Sequence, residues 1–189
     1  SETAFHEEDF AFLTATSNQA AVAIENSFLY EELAEQERMK HELSIARKIQ
    51  LESLPQSTPQ VEGLDIAGAS LPAMEVGGDY YDYIPINKNQ FLICVADVSG
   101  KGIPAALMMS NFQASLRTLL RQTPNLTDII EALNFQVLEN TKGEKFITFF
   151  AAIYDVRLKT MVYVNSGHNP PILIDKKNGL RLLEAGSTV

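Results

Sequence analysis

The feature that most constrains this chain is a stretch without glycine or proline that covers residues 1–54. Both residue types interrupt helices, whereas the Ala, Leu, Glu, Gln, Arg and Lys that fill this stretch favour them. We therefore predict a single helix from about Glu7 to Ser53. At a rise of 1.5 Å per residue, such a helix forms a rod roughly 70 Å long.

Apolar residues recur along this rod at the spacing of one helix face, and the spacing tightens near Gln36. They are Ala20, Ala23, Ile24, Phe28, Leu29, Leu33, Met39, Leu43, Ala46 and Ile49. An imperfect heptad repeat of this kind favours a parallel two-stranded coiled coil whose seam drifts locally. A second interpretation stays open, in which the helix packs on a domain that lies outside these residues.

The composition changes after Ser53, where LPQSTPQVEG forms a breaker-rich connector into a compact domain. Two helices are predicted in this domain, at 103–121 and from Thr123 and Pro124 onward, and a turn at Lys177, Asn178 and Gly179 joins the last two strands. The predicted strands are 64–70, 76–86, 90–98, 146–156, 161–165, 170–174 and 180–183. This order does not alternate as in a doubly wound sheet, so we predict an α+β fold with helices packed on antiparallel sheets.

The composition narrows the class of protein. With 46% hydrophobic and 21% charged residues, the chain resembles soluble globular proteins. The formal charge of −9 argues against a nucleic-acid partner, because neutralising phosphates needs clustered Lys and Arg. No apolar run approaches the roughly 20 residues that span a bilayer, so we expect no membrane segment. The acidic N-terminus does not suit a signal peptide, and the single cysteine, Cys94, fits a reducing cytoplasm.

Two acidic segments carry the strongest chemical signal. In GGDYYDY, Asp79 follows two glycines and Asp82 follows two tyrosines; in VADVSGKG, Asp97 ends the most apolar strand and precedes a glycine-containing turn. Carboxylates on rigid elements beside glycines suit hard cations such as Mg²⁺ or Mn²⁺, which prefer oxygen ligands. Two such ions can activate a water and clamp a phosphoryl group. The alternative is that Asp97 only caps the turn before the following helix.

The sequence does not match the other catalytic motifs that its residues suggest. A phosphate loop around Lys101 would need glycine at position 95 and Ser or Thr at 102, where Val95 and Gly102 stand. Cys94 lies within an apolar strand with no basic loop after it, which argues against a cysteine nucleophile. We expect His168, in the turn NSGHNPP, to be a hydrogen-bonded structural residue.

Five segments in this order resemble the SpoIIE-type branch of the PPM phosphatases, to which RsbU-like regulators of sigma-factor pathways belong: ELSIARKIQLESLP, GGDYYDY, ADVSGKGIPAALMMS, TFFAAIYDV and NSGHNPP. The resemblance extends from about Glu42 to the end. It implies an αββα sandwich with a binuclear Mn²⁺ or Mg²⁺ centre at one edge. It also implies a phosphoserine or phosphothreonine substrate on a small anti-sigma antagonist (STAS-like) protein. Upstream, DFAFLTATSNQAAVAIENSFLYEEL is similar to the last helix of a GAF sensor domain.

The resemblance assigns roles to individual residues. Asp97 matches the bridging metal ligand, the carbonyl of Val98 matches a main-chain ligand, and Asp79 matches an acidic position that reaches the metals directly or through water. Asp82 matches less well and is expected at most to support the site. The turn on the metal side is shaped by Gly100 and Gly102.

The family also supplies aspartates from C-terminal DG and DD motifs, and nothing after Asp97 resembles either; Asp128, Asp155 and Asp175 stand in other contexts. We therefore expect a partial αββα phosphatase domain at 55–189, preceded by a coiled-coil linker helix at 25–54 and the end of a GAF domain at 1–30. One hypothesis is a phosphatase whose homodimeric helices regulate the site, with these residues alone essentially inactive. The other is a catalytically incomplete dimeric module that binds a signalling partner.

Overall fold

The structure, a computed structural model, describes residues 6–72, 74–175 and 179–184. Its contacts divide the chain into two compact units, residues 1–45 and 46–189, and each is described by itself. The predicted turn at Lys177 and Asn178 lies outside the described residues, as do the first residues of the proposed GAF helix.

The first element is one uninterrupted helix, α1, at Glu7–Ser53, as the absence of helix breakers predicted. Its first turn is acidic, which suits the positive end of the helix dipole. Within residues 6–45, the following large apolar side chains are half or more exposed: Phe10, Phe12, Leu13, Val22, Ile24, Phe28, Leu29, Tyr30, Leu33 and Met39. A coiled coil would bury such a surface, and the coiled coil itself stays a prediction.

The second unit contains a four-stranded antiparallel sheet in the order β1-β2-β3-β4 and a separate two-stranded sheet. The strands are β1 at Tyr80–Pro85, β2 at Gln90–Val98, β3 at Ile147–Asp155, β4 at Thr160–Ser166, β5 at Ile172–Asp175 and β6 at Gly179–Leu182. The predicted strands at 146–156 and 161–165 are confirmed as the antiparallel pair β3 and β4. The predicted strand at 64–70 was wrong, since this segment makes only the isolated bridge between Val61 and Leu64. Its Ala, Gly and Ser residues offer little side-chain area for strand packing.

Two helices pack on one face of the four-stranded sheet: α2 at Gly102–Gln122 and α3 at Leu126–Thr141. Helix α3 begins later than predicted, because the side chain of Asn125 caps it by accepting a hydrogen bond from Thr127 N at 3.1 Å. Asparagine is a strong N-cap, so Pro124 lies before the helix. Among the described residues, no helix is long and apolar enough to cross a bilayer.

Strand alternation divides the sheet into a core face and an open face. On β2, Leu92, Cys94, Ala96 and Val98 are buried in the core against the helices, whereas Val95 on the other face is 42% exposed. A cleft on the open face is lined by residues that include Tyr81, Tyr83, Ile93, Val95, Asp97 and Tyr154. The four-stranded sheet, with α2 and α3 packed on one of its faces, corresponds to half of the predicted αββα sandwich.

Candidate metal centre

The pairing of β1 with β2 brings the two leading candidate carboxylates together. Tyr80 pairs with Ala96, so the same register places Asp79, the residue before β1, across from Asp97. Directly opposed residues of an antiparallel pair have Cβ atoms about 5 Å apart. Both aspartates are exposed, and both line a cleft of about 300 Å³ between the neighbouring loops. The structure thus joins two of the residues that the sequence selected.

The electrostatics of this pair favour a cation. The pKa of Asp79 is raised, first by partial burial of its carboxyl group and then by the charge of Asp97 and a side-chain hydrogen bond with it; His168 acts in the opposite direction. Two carboxylates that share a site disfavour each other's ionised form. A bound dication would relieve this repulsion.

The third predicted ligand, the carbonyl of Val98, belongs to the last residue of β2. A Cβ added to Gly78 would lie 2.9 Å from Val98 Cβ and 3.1 Å from the Val98 carbonyl oxygen. The absence of a side chain at Gly78 permits this close approach of the backbone to β2. Gly100 and Gly102 follow with φ of 104° and 70°, which are left-handed values that suit glycine. Glycines therefore form part of the lining of the cleft beside Asp97.

Asp82 lies on the other side of the sheet. Its side chain is buried, and its Oδ2 accepts hydrogen bonds from Tyr80 Oη at 2.6 Å and from Arg117 Nε and Nη2 at 2.8 Å each. Its Oδ1 accepts from the Tyr83 backbone N–H at 2.8 Å. Through these partners Asp82 links α2 to β1, so it is not a candidate metal ligand. The geometry gives it a role in supporting the scaffold.

His168 comes closer to the candidate centre than the sequence suggested. It lines the open-face cleft with Asp79 and Asp97, and its Nδ1 lies 2.8 Å from Thr148 Oγ1, on the residue that pairs with Asp97 across β2 and β3. Burial lowers the pKa of His168, and the two aspartates act in the opposite direction. The hydrogen bond expected for this histidine is present. Its position beside the carboxylates depends on the β3–β4 hairpin and had no local signal in the sequence.

The other titratable candidates lie elsewhere. Asp155 is at the far end of β3, where it accepts hydrogen bonds from Gln90 Nε2 at 3.0 Å and Leu158 N at 2.8 Å. Asp128 is in the first turn of α3. Cys94 is buried in the core, and desolvation raises the pKa of its thiol well above the ordinary value, which argues against a thiolate nucleophile.

Within the ranges that the structure describes, no group of three or more His, Cys, Asp and Glu side chains is arranged to hold a metal ion. The site offers two carboxylates and one backbone carbonyl. These are the oxygen donors that Mg²⁺ and Mn²⁺ prefer, so the donor set fits in kind. Mg²⁺ takes six ligands in near-octahedral geometry, so waters or further protein groups would have to complete its shell.

The family profile described as Stage II sporulation protein E (SpoIIE) matches residues 87–189. Phosphoserine phosphatase RsbU of Bacillus subtilis (strain 168) is 36% identical over 143 residues, which cover 76% of this chain and 42% of RsbU. Phosphoserine phosphatase RsbP of the same organism is 30% identical over 154 residues, covering 78% of this chain and 38% of RsbP. The chain thus spans less than half the length of these curated relatives.

Two solved structures share the fold. The SiaA-PP2C domain of Pseudomonas aeruginosa aligns with a TM-score of 0.64 at 17% identity, covering 81% of this chain and 63% of that chain. The PP2C phosphatase domain and regulatory-domain fragment of SpoIIE from Bacillus subtilis aligns with a TM-score of 0.52 at 18% identity, covering 60% of this chain and 33% of that chain. The predicted α+β phosphatase fold is confirmed. The profile match covers more than half of the sequence, and the chain therefore belongs to the SpoIIE family.

Proposed function

We propose that this protein is a metal-dependent protein serine/threonine phosphatase. The observation that carries the proposal is the opposition of Asp79 and Asp97 at one end of the β1–β2 pair, beside the carbonyl of Val98. Two relatives that carry the name phosphoserine phosphatase, RsbU and RsbP, support the reaction type.

Asp79, Asp97 and the Val98 carbonyl would hold Mn²⁺ or Mg²⁺. When bound, a pair of such ions supplies an activated water and neutralises the charge of a phosphoryl group. The role of this chain is to hold the opposed carboxylates rigidly and to leave a glycine-lined cleft into which a phosphate can enter. Two dications repel each other strongly, and two carboxylates offset little of that repulsion. Residues 1–189 alone should therefore hold at most one ion weakly and be essentially inactive.

For the substrate, we propose the phosphoserine or phosphothreonine of a phosphorylated anti-sigma antagonist protein of the STAS-like kind. The family resemblance supports this class, and the net charge of −9 is consistent with it, because bound cations rather than basic side chains would meet the phosphate.

Dimerisation through α1 is the second part of the proposal. Ile24, Phe28 and Leu33 are 58%, 66% and 55% exposed. Full burial of such a side chain is favourable by up to about 1.5–3 kcal/mol, so several seam positions together would have to offset the cost of association, about 4–15 kcal/mol. A catalytically incomplete dimeric module that binds a signalling partner is the alternative function. The observation that favours it is the presence of only two carboxylates at the centre within the described residues.

The deciding experiment measures Mn²⁺ binding by calorimetry and phosphoserine-peptide hydrolysis on the full-length protein. Asp97→Asn keeps the size of the side chain and removes its charge, so we expect hydrolysis to fall at least about 1,000-fold, in line with the loss of a group that stabilises the transition state. Asp155→Asn, at the far end of the same sheet, is the matched control and should stay within about twofold of the unmodified protein. Near-normal turnover by a folded Asp97→Asn protein would refute the assignment.

A further inference from the structure

The last turn of α1 carries a buried glutamine. Gln50 is 9% exposed and is the one residue of this helix that is buried. A buried amide needs partners for both its NH₂ group and its oxygen. Both partners come from a single residue, because Nε2 of Gln50 donates to the Gly77 carbonyl at 2.8 Å and the Gly77 N–H donates to Oε1 at 3.0 Å. Gln50 therefore holds the backbone of one loop residue from both sides.

Gly77 leads directly into the candidate metal centre. The next residue is Gly78, whose backbone packs so closely on Val98 that an added Cβ would lie 2.9 Å from Val98 Cβ. The residue after it is Asp79, which the β1–β2 register places across from Asp97 and which lines the same cleft. Residues 77–79 thus lead in succession from the end of α1 to the end of β2 and the carboxylate pair, which leaves little freedom between Gln50 and the centre.

The end of α1 is itself fixed to the core. The carbonyls at a helix C-terminus lack partners within the helix. One of them, on Ser53, accepts a hydrogen bond from Nε2 of Gln113, a buried residue of α2, and Leu54 belongs to the hydrophobic core. Gln56 Nε2 donates to the carbonyls of Leu51 and Leu54 at 2.7 and 2.8 Å. Gln50 therefore acts from an anchored turn.

We infer that Gln50 is a positioning residue for Asp79, so that the last turn of α1 and the metal centre are mechanically coupled. A shift or rotation of this turn moves Gly77 and with it the carboxylate two residues further on. The identity of the centre rests on the proposed function. The coupling is a property of the chain without metal and can be measured separately.

The test compares Gln50→Leu with Gln56→Leu in the full-length protein. Both changes remove a glutamine with two hydrogen bonds at the same helix end, but only Gln50 contacts Gly77. We expect Gln50→Leu to raise the Kd for Mn²⁺ roughly 10- to 100-fold, the effect typical of outer-shell partners of a metal site. Without metal, the Gly77 amide should exchange with solvent at least about tenfold faster, while the β2 and β3 amides keep their protection. Gln56→Leu should change neither quantity.

Unchanged Mn²⁺ affinity and unchanged Gly77 exchange in a folded Gln50→Leu protein would overturn the inference. If the β2 and β3 amides also lose their protection from exchange, Gln50 would have a general structural role. In that case the variant Gln50→Glu decides between this role and positioning. Glutamate has the same size and keeps an acceptor for the Gly77 N–H, but it places an oxygen against the Gly77 carbonyl. Faster exchange of the Gly77 amide, with the sheet amides still protected, would support the positioning role. Unchanged exchange of the Gly77 amide would refute it. If the unmodified protein binds no Mn²⁺, the proposed function fails, and the exchange of Gly77 still decides the coupling.

Discussion

Replacing Arg117 by methionine tests how strongly the scaffold behind the candidate centre depends on one ion pair. Arg117 places Nε and Nη2 each 2.8 Å from Asp82 Oδ2, and the side chain of Asp82 is 1% exposed. Removing one partner of a fully buried pair costs about 3–5 kcal/mol, because the remaining charge stays buried. Arg117 itself is 45% exposed, so water can partly replace it, and Asp82 keeps its hydrogen bonds from Tyr80 and Tyr83. We therefore expect a loss of about 2–3 kcal/mol in the free energy of unfolding.

For a domain of this size, that loss corresponds to a decrease in Tm of about 5–10 °C, measured by circular dichroism at neutral pH. Arg121→Met is the matched control, because Arg121 is an exposed residue in the last turn of the same helix, and its Tm should change by less than about 2 °C. Combining Arg117→Met with Asp82→Asn should give less than the sum of the two losses, since both remove one interaction. An unchanged Tm for Arg117→Met, or strictly additive losses, would refute the reasoning.

Two further predictions concern the carboxylate pair and the long helix. Asp79→Asn should stabilise the metal-free protein at neutral pH by a few tenths of a kcal/mol, because partial burial and the charge of Asp97 raise the pKa of Asp79 and disfavour its ionised form in the folded state. This stabilisation should be complete at pH values above the raised folded-state pKa of Asp79 and should vanish below 3.8, its pKa in the unfolded chain. An equal stabilisation in melts at pH 3 and pH 7 would contradict the prediction. Leu33→Asp should weaken the α1 dimer at least about tenfold in sedimentation equilibrium, because a seam position would then bury a charge, whereas Glu32→Asp should not. A monomeric unmodified protein at tens of micromolar would show the coiled coil to be wrong.

The elements with strong local signals could be predicted from the sequence. Helix α1 has the predicted bounds because no glycine or proline interrupts it, and β2 matches because an apolar run of that length suits a buried strand. The predicted strand at 76–86 begins only at Tyr80, because the Gly77 backbone bonds to the Gln50 side chain and Gly78 packs closely on Val98 instead of pairing. The pair Gly77 and Gly78 thus lies at close backbone contacts, and the strand pattern around it wrongly placed the start of the strand before Tyr80.

Strand periodicity and motif resemblance predicted only part of the candidate site. Asp79 and Asp82 stand three residues apart, and an odd separation on a strand sends side chains to opposite faces, so the segment itself contained the signal that both could not join Asp97. The position of His168 depends on two turns and on the pairing of β3 with both neighbours, which no local pattern specifies. Gln50 was hidden for a similar reason, because its partner at Gly77 lies across a connector without regular structure.

The Asp82–Arg117 pair has a consequence for strand alignment. A slip of β1 by one residue along β2 would turn the Asp82 carboxylate to the open face and bring an adjacent tyrosine of the strand toward α2. Arg117 would lose its partner, so the misaligned pairing would lack the hydrogen bonds that the observed alignment makes. The same alignment sets Asp79 across from Asp97. A charge pair on the helix side of the sheet thus selects the register that places the two carboxylates opposite each other on its other side.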